Sequence, residues 1–84
     1  MTAAQFNRLN IIDQESLIYL EGEFIAARQE PEFIVRLFQF DSFYVEFYYH
    51  QVKDSPVSAI SFTDVEKLEP YLDSIDLSDL LEDK

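Results

Sequence analysis

Residues 33–49 read FIVRLFQFDSFYVEFYY, from Phe33 to Tyr49, and bulky apolar side chains occupy both alternation phases of this stretch. Successive side chains of a strand point to opposite faces, and an antiparallel sheet with one wet face shows one polar phase. Two apolar phases predict a sheet covered on both sides. Asp41 and Ser42 are the polar pair between two dense runs of β-formers. A two-residue loop there makes the stretch a hairpin, with strands from Glu32 to Phe40 and from Phe43 to Gln51.

Working outward, Gln29, Glu30 and Pro31 break the chain before this hairpin, because proline lacks an amide to donate and holds Glu30 extended. Leu17 to Arg28 is rich in β-branched and aromatic residues and reads as a long first strand, weakest at Gly22. Asp13 to Ser16 reads as a turn. Thr2 and Gln5 fit a capping box ahead of Ala3, Phe6 and Leu9, which predicts a short helix over 3–10. On the other side, Lys53 to Pro56 reads as a turn and Val57 to Phe62 as a fourth strand. Thr63 and Glu66 form a second capping-box pattern, so a carboxy-terminal helix is expected from about residue 64, broken at Pro70. The expected fold is α+β over a single domain, 1–84: a short N-terminal helix, a four-stranded antiparallel meander and a broken C-terminal helix packed on one sheet face.

Pairing the strands as hairpins places Phe40 opposite Phe43, Phe38 opposite Val45, Arg36 opposite Phe47 and Ile34 opposite Tyr49. Ile18, Leu20, Gly22, Phe24, Ala26, Ile60 and Phe62 are expected on the same face, forming a core covered by Phe6, Leu9, Val65, Leu68 and Leu72. Arg36 would escape it by reaching Glu69 or Asp73 past the sheet edge. Gly22 would let the first strand bend, with Phe38 across the gap. The opposite face mixes Tyr19, Tyr44, Glu46, Tyr48 and His50 with aliphatic residues, a composition suited to a protein contact surface.

The formal charge is −11, from 17 acidic and 6 basic residues. Such a surface repels phosphate backbones and anionic lipids, so neither nucleic acid nor membrane is expected as a partner. Cysteine is absent, which removes disulfides, thiol chemistry and zinc–thiolate sites. A chain this short buries only about 60–65% of its unfolded surface, so association with a second chain is the expected reinforcement. The start MTAAQFNRLN has no basic stretch followed by an apolar segment, and no apolar run approaches the roughly 18 residues of a membrane span; a cytoplasmic protein is expected.

Candidate chemistry is sparse. His50 is the sole imidazole and shares a strand phase with Glu46, but no nucleophile is spaced to serve such a pair. One histidine without cysteine gives no metal-ligand spacing, and a lone glycine gives no phosphate-binding loop. Glu21 and Glu23 share a phase but have little material around them to build a sugar cleft. No enzyme activity, cofactor or metal is expected. The expected function is a small acidic, non-catalytic interaction domain that forms a homodimer through the tyrosine-rich face (Tyr19, Tyr44, Glu46, Tyr48, His50) or a sheet edge. A second reading uses the acidic run with Asp73, Asp76 and Asp79 to neutralise a basic protein, as an antitoxin, immunity protein or DNA mimic does. A third places an anionic small ligand between sheet and helices, met by Arg36.

Overall fold

The structure is a computed structural model and describes residues 1–71. Its elements are α1 (Ala3–Asn7), α2 (Ile11–Glu21), β1 (Glu23–Gln29), β2 (Phe33–Phe40), β3 (Phe43–His50), β4 (Pro56–Phe62) and a 3-10 helix, η1 (Val65–Tyr71). The strands form one antiparallel sheet in the order β1-β2-β3-β4. This is the expected α+β meander with a helical segment at each end.

The amino-terminal half departs from expectation in one element. Thr2 does close a capping box: its hydroxyl accepts from the Gln5 amide at 3.1 Å and its own amide donates to Gln5 Oε1 at 2.9 Å. Residues 11–21, however, are a second helix and neither a turn nor the start of a strand. Asn10 caps it, accepting from the Asp13 amide at 2.9 Å, and Asp13 puts a negative charge in the first turn, where the helix dipole favours it. Gln14 is buried and donates to the Phe6 carbonyl at 3.0 Å, satisfying an acceptor at the end of α1. The β-branched residues count less here than the caps, because tertiary packing of Ile18 supplies what propensity lacks.

Gly22 ends α2 and leads directly into β1, so it is a helix cap and not a bend within a strand. Its backbone is extended (φ −85°, ψ 169°), so no left-handed conformation calls for glycine. The requirement is closeness: a Cβ at this position would lie 2.8 Å from the Ile18 carbonyl oxygen.

The β2–β3 hairpin has the expected register throughout, from Phe40↔Phe43 to Phe33↔His50. Asp41 turns the loop at φ 54°, a left-handed conformation that aspartate tolerates, and its carboxylate receives the terminal ammonium at 2.7 Å. The flanking strands are displaced from the expected phase. In β1 a bulge between Phe24 and Ala26 leaves Phe24 paired with Phe38 but moves Ala26 opposite Leu37, onto the other face. In β4, Ile60 pairs with Glu46 and Phe62 with Tyr44. A tight turn at Lys53 and Asp54 would have put both on the helix side. The connection instead spans residues 51–55, with Asp54 at φ 54°, and β4 shifts by one position, which exchanges its faces.

Two cores result, one on each side of the sheet. Phe38, Phe40, Phe43, Val45, Phe47 and Tyr49 meet Phe6 and Ile18, with Leu9 packed alongside. On the opposite side Ala26, Leu37 and Phe62 meet Leu68 and Tyr71 of η1. The apolar second phase of the hairpin is therefore covered, but by η1 and not by the helices at the amino terminus. Leu68 lies on this second face, Val65 is exposed, and Leu72 lies outside the described residues. η1 is capped by Asp64, whose Oδ1 accepts from the Glu66 amide at 2.9 Å, in place of the expected Thr63 cap. It runs through Pro70 as a 3-10 helix.

Candidate functional site

Four of the five residues expected on the interaction face lie together on β3, at alternate positions of one sheet face. Glu46 is 8% exposed and accepts from the Tyr71 hydroxyl at 2.6 Å. Arg28, carried to this face by the bulge in β1, lies 3.5 Å from Glu46, donates to the Tyr48 hydroxyl at 3.2 Å and is hydrogen-bonded to Glu30. Its guanidinium stands 6.0 Å from the Tyr48 ring centroid and 5.5 Å from that of Tyr71. Burial opposes the charge of Arg28, but Glu30 and Tyr71 outweigh it and its pKa is raised. Burial and the Glu46 carboxylate push the Tyr71 phenol above its ordinary range, against the pull of Arg28. Arg28 Nε has no hydrogen-bond partner among the described residues.

Tyr44 stacks on Phe62, with centroids 5.5 Å apart. His50 holds the turn after β3, its Nδ1 accepting from the amides of Val52 at 3.2 Å and Lys53 at 3.4 Å. Glu46 is bonded to Tyr71 and Arg28, while His50 Nδ1 is bonded to backbone, so the geometry joins them in no proton-transfer pair. Glu46, the Tyr48 hydroxyl, Arg28 and Tyr71 form a polar seam beside η1, while Tyr44, Tyr48 and His50 stay half-buried.

Tyr19 is elsewhere. It sits on α2, on the opposite side of the sheet, edge-to-face with Phe38 at 6.2 Å. Tyr49 donates to Glu15 Oε2 at 3.0 Å, and the Tyr19 hydroxyl, 3.2 Å away, donates to Tyr49. Burial first, then these two partners, raise the Tyr49 phenol above its ordinary value. Arg36 lies over the Tyr49 ring at 4.4 Å. Among the described residues its nearest carboxylate oxygen is that of Asp54, at 3.9 Å, and not that of Glu69 as the sequence suggested; Asp73 lies outside the described residues. Arg36 also lines an open concavity of about 360 Å³ together with Ile18, Tyr19, Gly22, Phe24 and Phe38.

Sequence reasoning missed Arg28, Tyr71 and Phe24. A bulge is invisible in the alternation pattern, and nothing in the phase of β3 says which later segment will fold over it. Asp73, Asp76 and Asp79 lie outside the described residues. Among the described residues no three His, Asp or Glu side chains come together as a cation site, and no helix is long and apolar enough to cross a membrane. No family model, curated protein or solved structure matches the chain.

Proposed function

We propose that this chain is a non-catalytic assembly domain that self-associates by pairing the β4 edge of two copies. The observation that carries this reading is the character of β4. It ends the sheet order, and its sequence PVSAISF makes it the one strand of the four without a charged residue. Val57 and Ile60 remain 51% and 47% exposed. Edge strands that must stay solitary carry charge, proline or a bulge along their length. In β4, Pro56 and the irregularity opposite Tyr48 and Tyr49 guard only the first residues; farther along, Ser58 and Ile60 are exposed and the Ser61 hydroxyl donates to Asn7 Oδ1 at 2.8 Å. The other edge, β1, has Glu23, Arg28 and its own bulge.

Charge decides where two copies would meet. Each chain carries −11, so a self-complementary contact is least costly where both copies are neutral. A two-fold axis runs the two strands antiparallel and doubles the sheet. The tyrosine seam is a weaker candidate for the same role, because Tyr71 and Arg28 already engage Glu46 and the Tyr48 hydroxyl.

Sedimentation equilibrium across micromolar concentrations tests the reading. A concentration-dependent dimer is expected for the wild type, abolished by Ile60→Lys and retained in Val52→Lys, a control in the turn after β3. Tyr48→Ala should also retain it. A strict monomer, or a dimer indifferent to Ile60→Lys but lost in Tyr48→Ala, would overturn the edge.

A further inference from the structure

We infer that the concavity between the end of α2 and the start of β1 is a binding site for a small aromatic monocarboxylate. Its volume of about 360 Å³ falls at the small end of ligand sites. Phe38, 5% exposed, is the floor. Tyr19 and Phe24 stand edge-to-face against it, with ring centroids at 6.2 and 5.7 Å, yet remain 58% and 56% exposed. Two half-wet rings above a buried third offer a flat apolar body stacking area and the release of water from all of them. Gly22 contributes bare backbone to the wall.

Arg36 gives the site its charge preference. Among the described residues it is the one ionic side chain in the lining, and the Tyr49 ring supports its guanidinium. Asp54, at 3.9 Å and 77% exposed at the side chain, is beyond hydrogen-bond reach. Among the described residues, then, the guanidinium fork has no hydrogen-bonded acceptor. Two parallel N–H groups match a carboxylate. A phosphate dianion would leave one charge without a lining counterion in a chain of −11, so a monoanion is the better fit.

Phenylacetate, its uncharged counterpart phenylacetamide and inorganic phosphate are the probes, titrated into the full chain labelled with nitrogen-15. Phenylacetate should shift the amides of residues 18–24 and 36–38 saturably, with Kd of about 1 mM for so small a ligand. Phenylacetamide and the variant Arg36→Gln should each bind about ten-fold more weakly or worse, and Phe24→Ser should lose binding while keeping the wild-type spectrum elsewhere. Lack of saturable shifts up to about 10 mM overturns the site. Equal binding of phenylacetamide overturns the role of Arg36, and equal binding of phosphate overturns the ligand class. If Arg36→Gln loses the fold, the phenylacetamide comparison and Phe24→Ser decide.

Discussion

At the scale of residues, the chain places polar groups beside both of its cores and pairs them with one another, with Arg28 Nε the exception among the described residues. Glu46 shows how much rests on one bond: its carboxylate is nearly buried, and its short contact is with Tyr71. Tyr71→Phe removes that donor while leaving the ring, so the unfolding free energy should fall by about 1–3 kcal/mol, read from urea denaturation. Tyr49 and Tyr71 also set an alkaline limit. Both phenols have raised pKa values in the folded state, whereas unfolded tyrosine ionises near pH 10. Above that pH the unfolded chain holds fewer protons than the folded one, so stability falls as pH rises. The stabilisation is fully present below about pH 10 and is lost progressively above it. Thermal melts of Tyr49→Phe over this alkaline range should decline less steeply than those of the wild type. The sequence placed Glu46 and Tyr48 on one face, since alternation alone does that; that Tyr71 is their partner depends on where η1 folds back.

Among the elements, the join between α2 and β1 is the most constrained. Exchanging glycine for alanine at a compatible backbone commonly stabilises by about 0.4–1 kcal/mol through the unfolded chain. At Gly22 the close approach to Ile18 backbone oxygen reverses the sign, because the obstacle is not a flexible side-chain end. Gly22→Ala should therefore destabilise by about 1–3 kcal/mol, seen as a lower urea midpoint with an unchanged slope. This join was also the least legible part of the sequence. Asn10 and Asp13 carry a helix-start signal, and Gly22 a stop, but Ile18 and Tyr19 read equally well as strand residues. The β2–β3 hairpin was legible to the residue, because its loop length was fixed by a single polar pair. β4 was legible as a strand but not in phase, because a five-residue connection does not fix register as a two-residue one does.

For the whole molecule, charge and edge act against each other. Repulsion between two chains of −11 opposes the proposed dimer, and salt screens charges separated by more than the Debye length, about 10 Å at 0.1 M. A contact made by the uncharged β4 strand should therefore tighten as sodium chloride rises, whereas capture of a basic partner should weaken; sedimentation equilibrium over a salt series separates the two. The double-phase apolar pattern of Phe33 to Tyr49 by itself determined that a sheet would form and that both its faces would be covered, because burial of alternate side chains on opposite sides follows from strand geometry alone. Composition likewise determined the charge that any partner must accommodate. Only the tertiary structure decided which segment covers which face, that Arg28 crosses to the seam and Tyr19 stays with the helices, and that Arg36 borders an open concavity. Those outcomes depend on one bulge and one longer connection, each of which moves side chains by a single position, and on one close helix–strand join; none of the three alters the hydrophobic pattern that a sequence displays.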